Sequence, residues 1–124
     1  MKEFFLVFVG GGMGSVARLL VAKLYKPFSP VFPLATLTVN FLSCVVFGAV
    51  LMLGVNKMNI SYSLKILLIT GFCGGFSTYS AFTFETVELF KNGQQGFALA
   101  NIILNLILSI SGFYIGLYAV KALG

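Results

Sequence analysis

The residues best suited to chemistry lie in one stretch, 70–86, in the middle of a long hydrophobic segment. It reads TGFCGGFSTYSAFTFET and combines three glycines with a run of hydroxyls and a cluster of aromatic rings. Glycines let a helix break or let two backbones approach closely. Backbone groups freed by a break are tolerated at membrane depth only inside protein or along a watery path. We therefore predict an interruption near Gly74–Ser77, with a small-residue helix-packing face as the alternative.

Two stripes of polar side chains accompany this stretch, each on one face of a hydrophobic segment. The first contains Thr36, Asn40 and Ser43, and the second contains Asn101, Asn105 and Ser109. Spacings of three and four residues place each set on one helix face, and an amide in mid-membrane is costly unless it finds a partner. Each stripe alone is equally typical of hydrogen bonding between helices. Together, beside an interrupted helix, they favour a polar pathway.

Two aromatic rings, Tyr79 and Phe82, lie three residues apart and can present their edges toward one point. The edge of an aromatic ring is electropositive, so the pair could hold an anion without a formal charge. A lysine there would bind an anion too tightly for rapid release, and conduction needs sites that also let go. On spacing alone, however, simple packing explains these rings better.

Two carboxylates, Glu85 and Glu88, lie three residues apart on the same segment. Carboxylates within a membrane segment bind cations or transfer protons. Lys91 follows within two turns, so a solvated vestibule near the interface is an equally good interpretation.

Composition identifies the class of protein. The chain has 124 residues, of which 59% are hydrophobic and 9% charged, with a mean hydropathy of +1.03. A soluble domain carries about 25% charged residues, so we predict an all-α integral membrane protein. The net charge of +5 comes from basic residues at segment ends, which is typical of a membrane interface and not of nucleic-acid binding. The absence of histidine and the two cysteines inside apolar segments argue against an enzyme, a zinc site or a disulfide framework.

The hydrophobic segments predict one domain, residues 1–124, with four transmembrane helices. Their expected bounds are about 4–25, 32–53, 63–90 and 97–120. Each has roughly the 20 residues needed to cross ~30 Å of hydrocarbon.

The distribution of basic residues gives no preferred orientation. With four spans the termini share one side, which collects Lys2, Lys57, Lys65 and Lys121, while the other side collects Arg18, Lys23, Lys26 and Lys91. Orientation follows an excess of Lys and Arg on one side, and here the two sides are equal. We therefore predict insertion in both orientations and an antiparallel dimer, an inverted arrangement also seen in transporters. The alternative is that boundary charges such as Arg18 and Lys65 do not count.

Three stretches of the chain resemble a known family. Residues 71–82 are similar to the third-helix signature of the Fluc/CrcB fluoride ion channels, with supporting matches at 11–18 and 36–40. The resemblance implies passive fluoride efflux across the bacterial inner membrane through two antiparallel pores of a dual-topology homodimer. It implies that Asn40 donates its amide to fluoride and that Tyr79 and Phe82 line the ion path. It further implies a structural sodium ion held by the backbone carbonyls of Gly74 and Ser77 from both subunits.

Other positions match the family less specifically. Thr36, Asn101, Asn105 and Ser109 match its polar stripes, Ser43 shares the face of Asn40, and Arg18 and Glu85 match conserved positions whose role is open. The chain departs from the usual pattern at Ser77, Tyr79 and Ala81, which leaves a heterodimer with a paralogue possible. A small four-helix multidrug exporter is a further alternative, but it needs a carboxylate deep in the first segment, and Glu3 lies at its very end. A non-transporting assembly subunit also remains open.

The balance of charge generates a first prediction. A tag at the C-terminus should be accessible from both sides of the membrane in cells. Adding three lysines to one side should force one orientation and abolish activity, and co-expression of an oppositely biased copy should restore it. If every copy of the unmodified chain faces the same side, the antiparallel arrangement is wrong.

Overall fold

Four long helices account for most of the computed structural model, which describes residues 1–55 and 59–124. The first to fourth spans are Lys2–Tyr25, Leu34–Val55, Tyr62–Lys91 and Gln95–Leu123. Each is long and apolar enough to cross a membrane, which confirms the prediction of an all-helical chain with four such helices. Lys57, one of the charges used to weigh orientation, lies outside the described residues.

Proline and glycine set the ends of the spans. The first span stops at Tyr25, before Pro27 and Pro30, because proline cannot continue a helix interior. The second span begins at Leu34, two residues later than predicted, with Pro33 just before it. The carbonyl of Pro33 accepts from the Leu37 amide at 3.2 Å, and a proline is tolerated there because the first amides of a helix have no partner within it. Gly93, with φ of 75°, turns the chain into the fourth span.

The spans pack in two close pairs, the first against the third and the second against the fourth. Glycines set both contacts. A β-carbon at Gly14 would meet the carbonyl oxygen of Phe72, and one at Gly116 would meet the carbonyl oxygen of Val45. Lipid tails give helices no hydrophobic reason to associate, so such close backbone approach is a main source of attraction within a membrane.

The glycines of the stretch 70–86 divide between two surroundings. A β-carbon at Gly71 would lie 3.0 Å from the Cα of Gly10, and one at Gly75 would meet the Gly11 carbonyl. A β-carbon at Gly74 would meet nothing within 4 Å. Gly71 and Gly75 therefore do form a helix-packing face, whereas Gly74 points away from the rest of the chain.

The third span changes its winding along its length. It starts as α-helix at Tyr62–Lys65, widens to a π-helix at Ile66–Cys73 and returns to α-helix at Gly74–Phe76. Ser77 and Thr78 then have extended backbone angles, with ψ of 158° and 120°, before a second helical part, Tyr79–Lys91. The hydroxyl of Thr78 caps that part by accepting from the Ala81 amide at 3.1 Å. The non-helical backbone thus lies at Ser77 and Thr78, while Gly74 and Gly75 are themselves helical.

Apolar side chains cover the outside of the bundle. Phe4, Phe8, Leu20, Ile103 and Tyr118 are among the large side chains that remain more than half exposed. The interior combines apolar side chains with polar ones, and Thr36, Ser43, Thr86, Asn101 and Asn105 are buried there. An apolar exterior around a partly polar interior is unlike a soluble domain and identifies a multi-pass membrane protein.

The close contact at Gly116 generates a second prediction. Gly116→Ala should lower the free energy of unfolding by about 1–3 kcal/mol, because its methyl group forces the second and fourth spans apart. Gly96→Ala is the matched control in the same helix, since a β-carbon there meets nothing within 4 Å, and it should be neutral or slightly stabilising. Thermal unfolding in detergent measures both. Equal stability of the two variants would contradict backbone contact at Gly116.

Candidate functional site

Asn40 joins three of the four spans. Its Oδ1 accepts from the Thr78 amide at 2.9 Å, and its Nδ2 donates to Asn105 Oδ1 at 3.0 Å and to the Thr78 carbonyl at 3.4 Å. Thr78 lies where the third span is not helical, so its amide and carbonyl lack the usual helical partners. The side chain of Asn40 supplies both, which meets the requirement that backbone groups away from water be paired.

A chain of side-chain hydrogen bonds continues from Asn40 along the fourth span. Asn105 Nδ2 donates to Oδ1 of Asn101 at 2.8 Å and to its carbonyl at 2.9 Å. Asn101 Nδ2 donates to Thr86 Oγ1 at 2.9 Å, and that hydroxyl donates to the Phe82 carbonyl at 2.7 Å. Asn101 is completely buried. The donors all run in one direction, from Asn40 toward the backbone of Phe82.

Five of the predicted path residues line one cavity of about 310 Å³. They are Asn40, Tyr79, Phe82, Asn105 and Ser109, joined by Ile102 and Leu106. The two rings lie with centroids 5.7 Å apart and planes at 48°. The Tyr79 side is open, because this residue is 81% exposed. The cavity is therefore mainly apolar, with a few amide and hydroxyl groups on its wall and one side of it unfilled by the chain.

The other predicted path residues do not line this cavity. Thr36 is buried and donates to Glu85 Oε1 at 2.7 Å, linking the second span to the third. Ser43 is buried and donates to the Cys73 carbonyl at 3.2 Å. Together with Asn101, these side chains connect helices, the role that each polar stripe alone also fitted.

Arg18 and Glu85, the two positions whose role the sequence left open, have different surroundings. Arg18 Nε donates to the Gly75 carbonyl at 3.0 Å, so this charge lies against the third span and not in a loop. The second carboxylate oxygen of Glu85 is buried, with no hydrogen-bond partner among the described residues. Glu85 and Glu88 share a cavity of about 350 Å³ near the turn into the fourth span, and Glu88 pairs with Lys91 at 3.3 Å. That exposed pair fits the vestibule interpretation.

Gly74 and Ser77 both line a third cavity, of about 430 Å³. The hydroxyl of Ser77 donates to the Cys73 carbonyl at 2.7 Å. Within residues 1–55 and 59–124, no hydrogen-bond donor reaches the carbonyl of Gly74 or of Ser77. Carbonyls released by an unwound helix are typical ligands of sodium in membrane proteins.

Sequence reasoning gave no role to Thr86, although it lay within the stretch singled out. Its partner Asn101 is fifteen residues away, across a turn. No local spacing indicates this contact, because it depends on how the second part of the third span packs against the fourth. No pattern in the sequence indicated the π-helix at Ile66–Cys73 either.

Comparison with known proteins places the chain among relatives of nearly the same length. A family model described as "CrcB-like protein, Camphor Resistance (CrcB)" matches residues 5–117. A protein of Chlorobium chlorochromatii is 41% identical over 94% of this chain and 90% of its own length. Relatives from Gloeothece citriformis and Rhizobium etli are 38% and 40% identical, and each match covers at least 98% of both chains. All three relatives carry the name "Fluoride-specific ion channel FluC".

Proposed function

The chain belongs to the CrcB family, and we propose that it is a fluoride-specific ion channel through which fluoride leaves the cell passively. The observation that carries the proposal is the cavity that the amide of Asn40 lines together with the rings of Tyr79 and Phe82. The near full-length relatives are named as ion channels. This favours a channel over an enzyme and over the multidrug exporter that the sequence left open.

A passive pore suffices for efflux in a bacterial inner membrane, where we place the protein. Fluoride enters acidified cells as neutral HF, dissociates in the cytoplasm and is trapped as the anion. A potential of 100 mV, negative inside, drives one negative charge outward with about 2.3 kcal/mol. Conduction through the proposed pore therefore lowers cytoplasmic fluoride without a coupled ion or ATP.

The cavity wall suits a small, strongly hydrated anion. Fluoride must exchange water for other donors as it enters, and the wall carries the amides of Asn40 and Asn105 and the hydroxyl of Ser109. The edges of Tyr79 and Phe82 add a weak positive potential without a formal charge. Weak, repeated sites of this kind let an anion enter and also leave. Thr36, Ser43 and Asn101 act on this path by holding the helices that carry it.

The open side of the cavity supports an antiparallel dimer in which a second copy closes it. Tyr79 is 81% exposed in the single chain, the charge balance permits both orientations, and Gly74 points outward. In this dimer the extended residues Ser77 and Thr78 form a break of the third span at mid-membrane. A homodimer is the simplest form, and the departures at Tyr79 and Ala81 allow a paralogue as the second subunit.

The carbonyls of Gly74 and Ser77 fit a structural sodium ion at the centre of that dimer. Both are free of donors from the described residues, and both residues line the same cavity. When bound, sodium would supply a positive charge that joins the carbonyls of the two subunits. Arg18 supports the same region by holding the neighbouring Gly75 carbonyl.

Two substitutions test the fluoride path. Asn40→Asp keeps the size of the side chain and its acceptor for the Thr78 amide, but it loses the donor and adds negative charge. Phe82→Ile keeps apolar bulk but removes the ring edge. We expect Asn40→Asp to abolish fluoride efflux from liposomes and Phe82→Ile to lower it at least about tenfold, the effect of losing about 1.4 kcal/mol.

Gel filtration controls for folding and assembly of both variants. A role in packing alone predicts small effects that follow the volume lost. Near-normal efflux by Asn40→Asp would contradict the assignment of this cavity as the path.

A substitution at Gly74 distinguishes contacts within one chain from contacts with a second copy. A β-carbon at Gly74 meets nothing in the single chain, so Gly74→Val should leave the fold intact. If Gly74 faces its symmetry mate around sodium, the same change should disrupt the dimer or abolish efflux. Gly96→Val is the matched control at another open glycine. Wild-type assembly and transport by Gly74→Val would refute the central-ion arrangement.

A further inference from the structure

In the observed arrangement, the two asparagines of the cavity offer no free donor to an anion. Both amide hydrogens of Asn40 are directed to acceptors, on Asn105 and Thr78. Both amide hydrogens of Asn105 are directed away from Asn40, to the carbonyl and side-chain oxygen of Asn101. The group that Asn105 presents to Asn40 is its carbonyl oxygen. An oxygen with partial negative charge thus occupies the place where an anion would accept from Asn40.

We propose that Asn105 Oδ1 stands in for fluoride, and that fluoride displaces it by rotating the Asn105 amide by half a turn. This inference rests on the proposed fluoride path. After the rotation Asn105 presents its Nδ2 beside that of Asn40, so that an ion next to both nitrogens accepts from two amides. The asparagine is suited to this exchange because its side chain carries an acceptor and a donor of nearly equal shape.

The rotation does not leave Asn105 unpaired, because the chain of hydrogen bonds behind it can reverse. Rotation turns Asn105 Oδ1 toward both the side-chain oxygen and the backbone carbonyl of Asn101, where oxygen would meet oxygen. If Asn101 rotates as well, its Nδ2 donates to Asn105 Oδ1 and its own Oδ1 faces Thr86. The hydroxyl of Thr86 can donate to that oxygen in place of the Phe82 carbonyl, since a hydroxyl both donates and accepts.

The presence of the anion decides which direction of the hydrogen-bond chain is the more stable. The reversed direction gives up the bonds from Asn40 to Asn105, from Asn105 to the Asn101 carbonyl and from Thr86 to Phe82. It also places Asn105 Oδ1 against the backbone carbonyl of Asn101, which no side-chain rotation can turn away. Without an anion, the observed direction is therefore the more stable. Hydrogen bonds to an ionised acceptor are about twice as strong as neutral ones, and fluoride between two amides supplies them. The cavity would then present donors only when an anion is there to accept them.

Side-chain NMR tests the exchange directly. The full-length protein, labelled with 15N-asparagine in detergent micelles, is titrated with sodium fluoride and, separately, with sodium chloride. Fluoride should shift the side-chain amide resonances of Asn40, Asn105 and Asn101, although Asn101 does not line the cavity. Asn92, exposed in the turn before the fourth span, is the internal control and should not move. A shift of Asn40 with Asn105 and Asn101 unchanged would overturn the exchange while leaving the fluoride channel intact.

Three variants of Asn105 add a functional test by fluoride efflux from liposomes. Serine can donate or accept, aspartate only accepts, and leucine does neither. We expect Asn105→Ser to conduct at least about tenfold faster than either Asn105→Asp or Asn105→Leu, because only serine can turn a donor toward the ion. Packing alone predicts the opposite, since leucine and aspartate preserve the volume better than serine. Leucine also separates the loss of a donor from the added charge of aspartate.

Each outcome bears on a different claim. Flux through Asn105→Leu equal to or above that of Asn105→Ser would overturn the exchange. Failure of the unmodified protein to conduct fluoride would overturn the proposed function, and the exchange with it.

Discussion

The non-helical backbone at Ser77 and Thr78 is the constraint on which the rest of the interior depends. A chain surrounded by lipid has no water to satisfy a free amide or carbonyl, so the protein must provide partners. Asn40 provides them for Thr78, Arg18 for Gly75, and the hydroxyls of Ser43 and Ser77 for Cys73. The polar side chains of three spans are thus directed toward one short segment of the third.

This constraint also explains why the interior contains polar side chains and why nearly all of them have hydrogen-bond partners. Each side chain that holds the interrupted backbone needs partners of its own, and the amides of Asn105 and Asn101 pass that requirement on to Thr86. Through the bond from Asn101 to Thr86, the network links the fourth span to the second part of the third. Close glycine contacts at Gly14 and Gly116 hold the two helix pairs together on the other faces. The hydrogen bonds that join the helices and the polar groups on the cavity wall therefore have one origin, the interrupted backbone.

The groups that the network leaves out are the ones to which we assign functional roles. Gly74 and Ser77 line one cavity, and Tyr79 and Phe82 line another that is open on the side of Tyr79. A single chain cannot complete either surface. An antiparallel partner would complete both, and it would also double the number of paths, because each copy carries one cavity. The proposed dimer, sodium ion and anion path are thus consequences of the same local interruption.

The sequence by itself determined the class of the protein, its four spans and the identity of five residues around the cavity. Hydrophobic runs of sufficient length predict spans because the thickness of the bilayer is fixed, and asparagines inside them are informative because their burial is costly. Periodicity could not separate the asparagines that line the cavity from those that join helices. Asn101 and Asn105 share one face of the fourth span, yet only Asn105 reaches the cavity. That division depends on which neighbouring helix lies against each residue, so only the tertiary structure decided it. The tertiary structure also decided where the backbone is extended, which is at Ser77 and Thr78 and not at the glycines before them. Gly71 and Gly75 stay helical because they pack against the first span. Thr78 is extended because Asn40, on the second span, binds its amide and carbonyl.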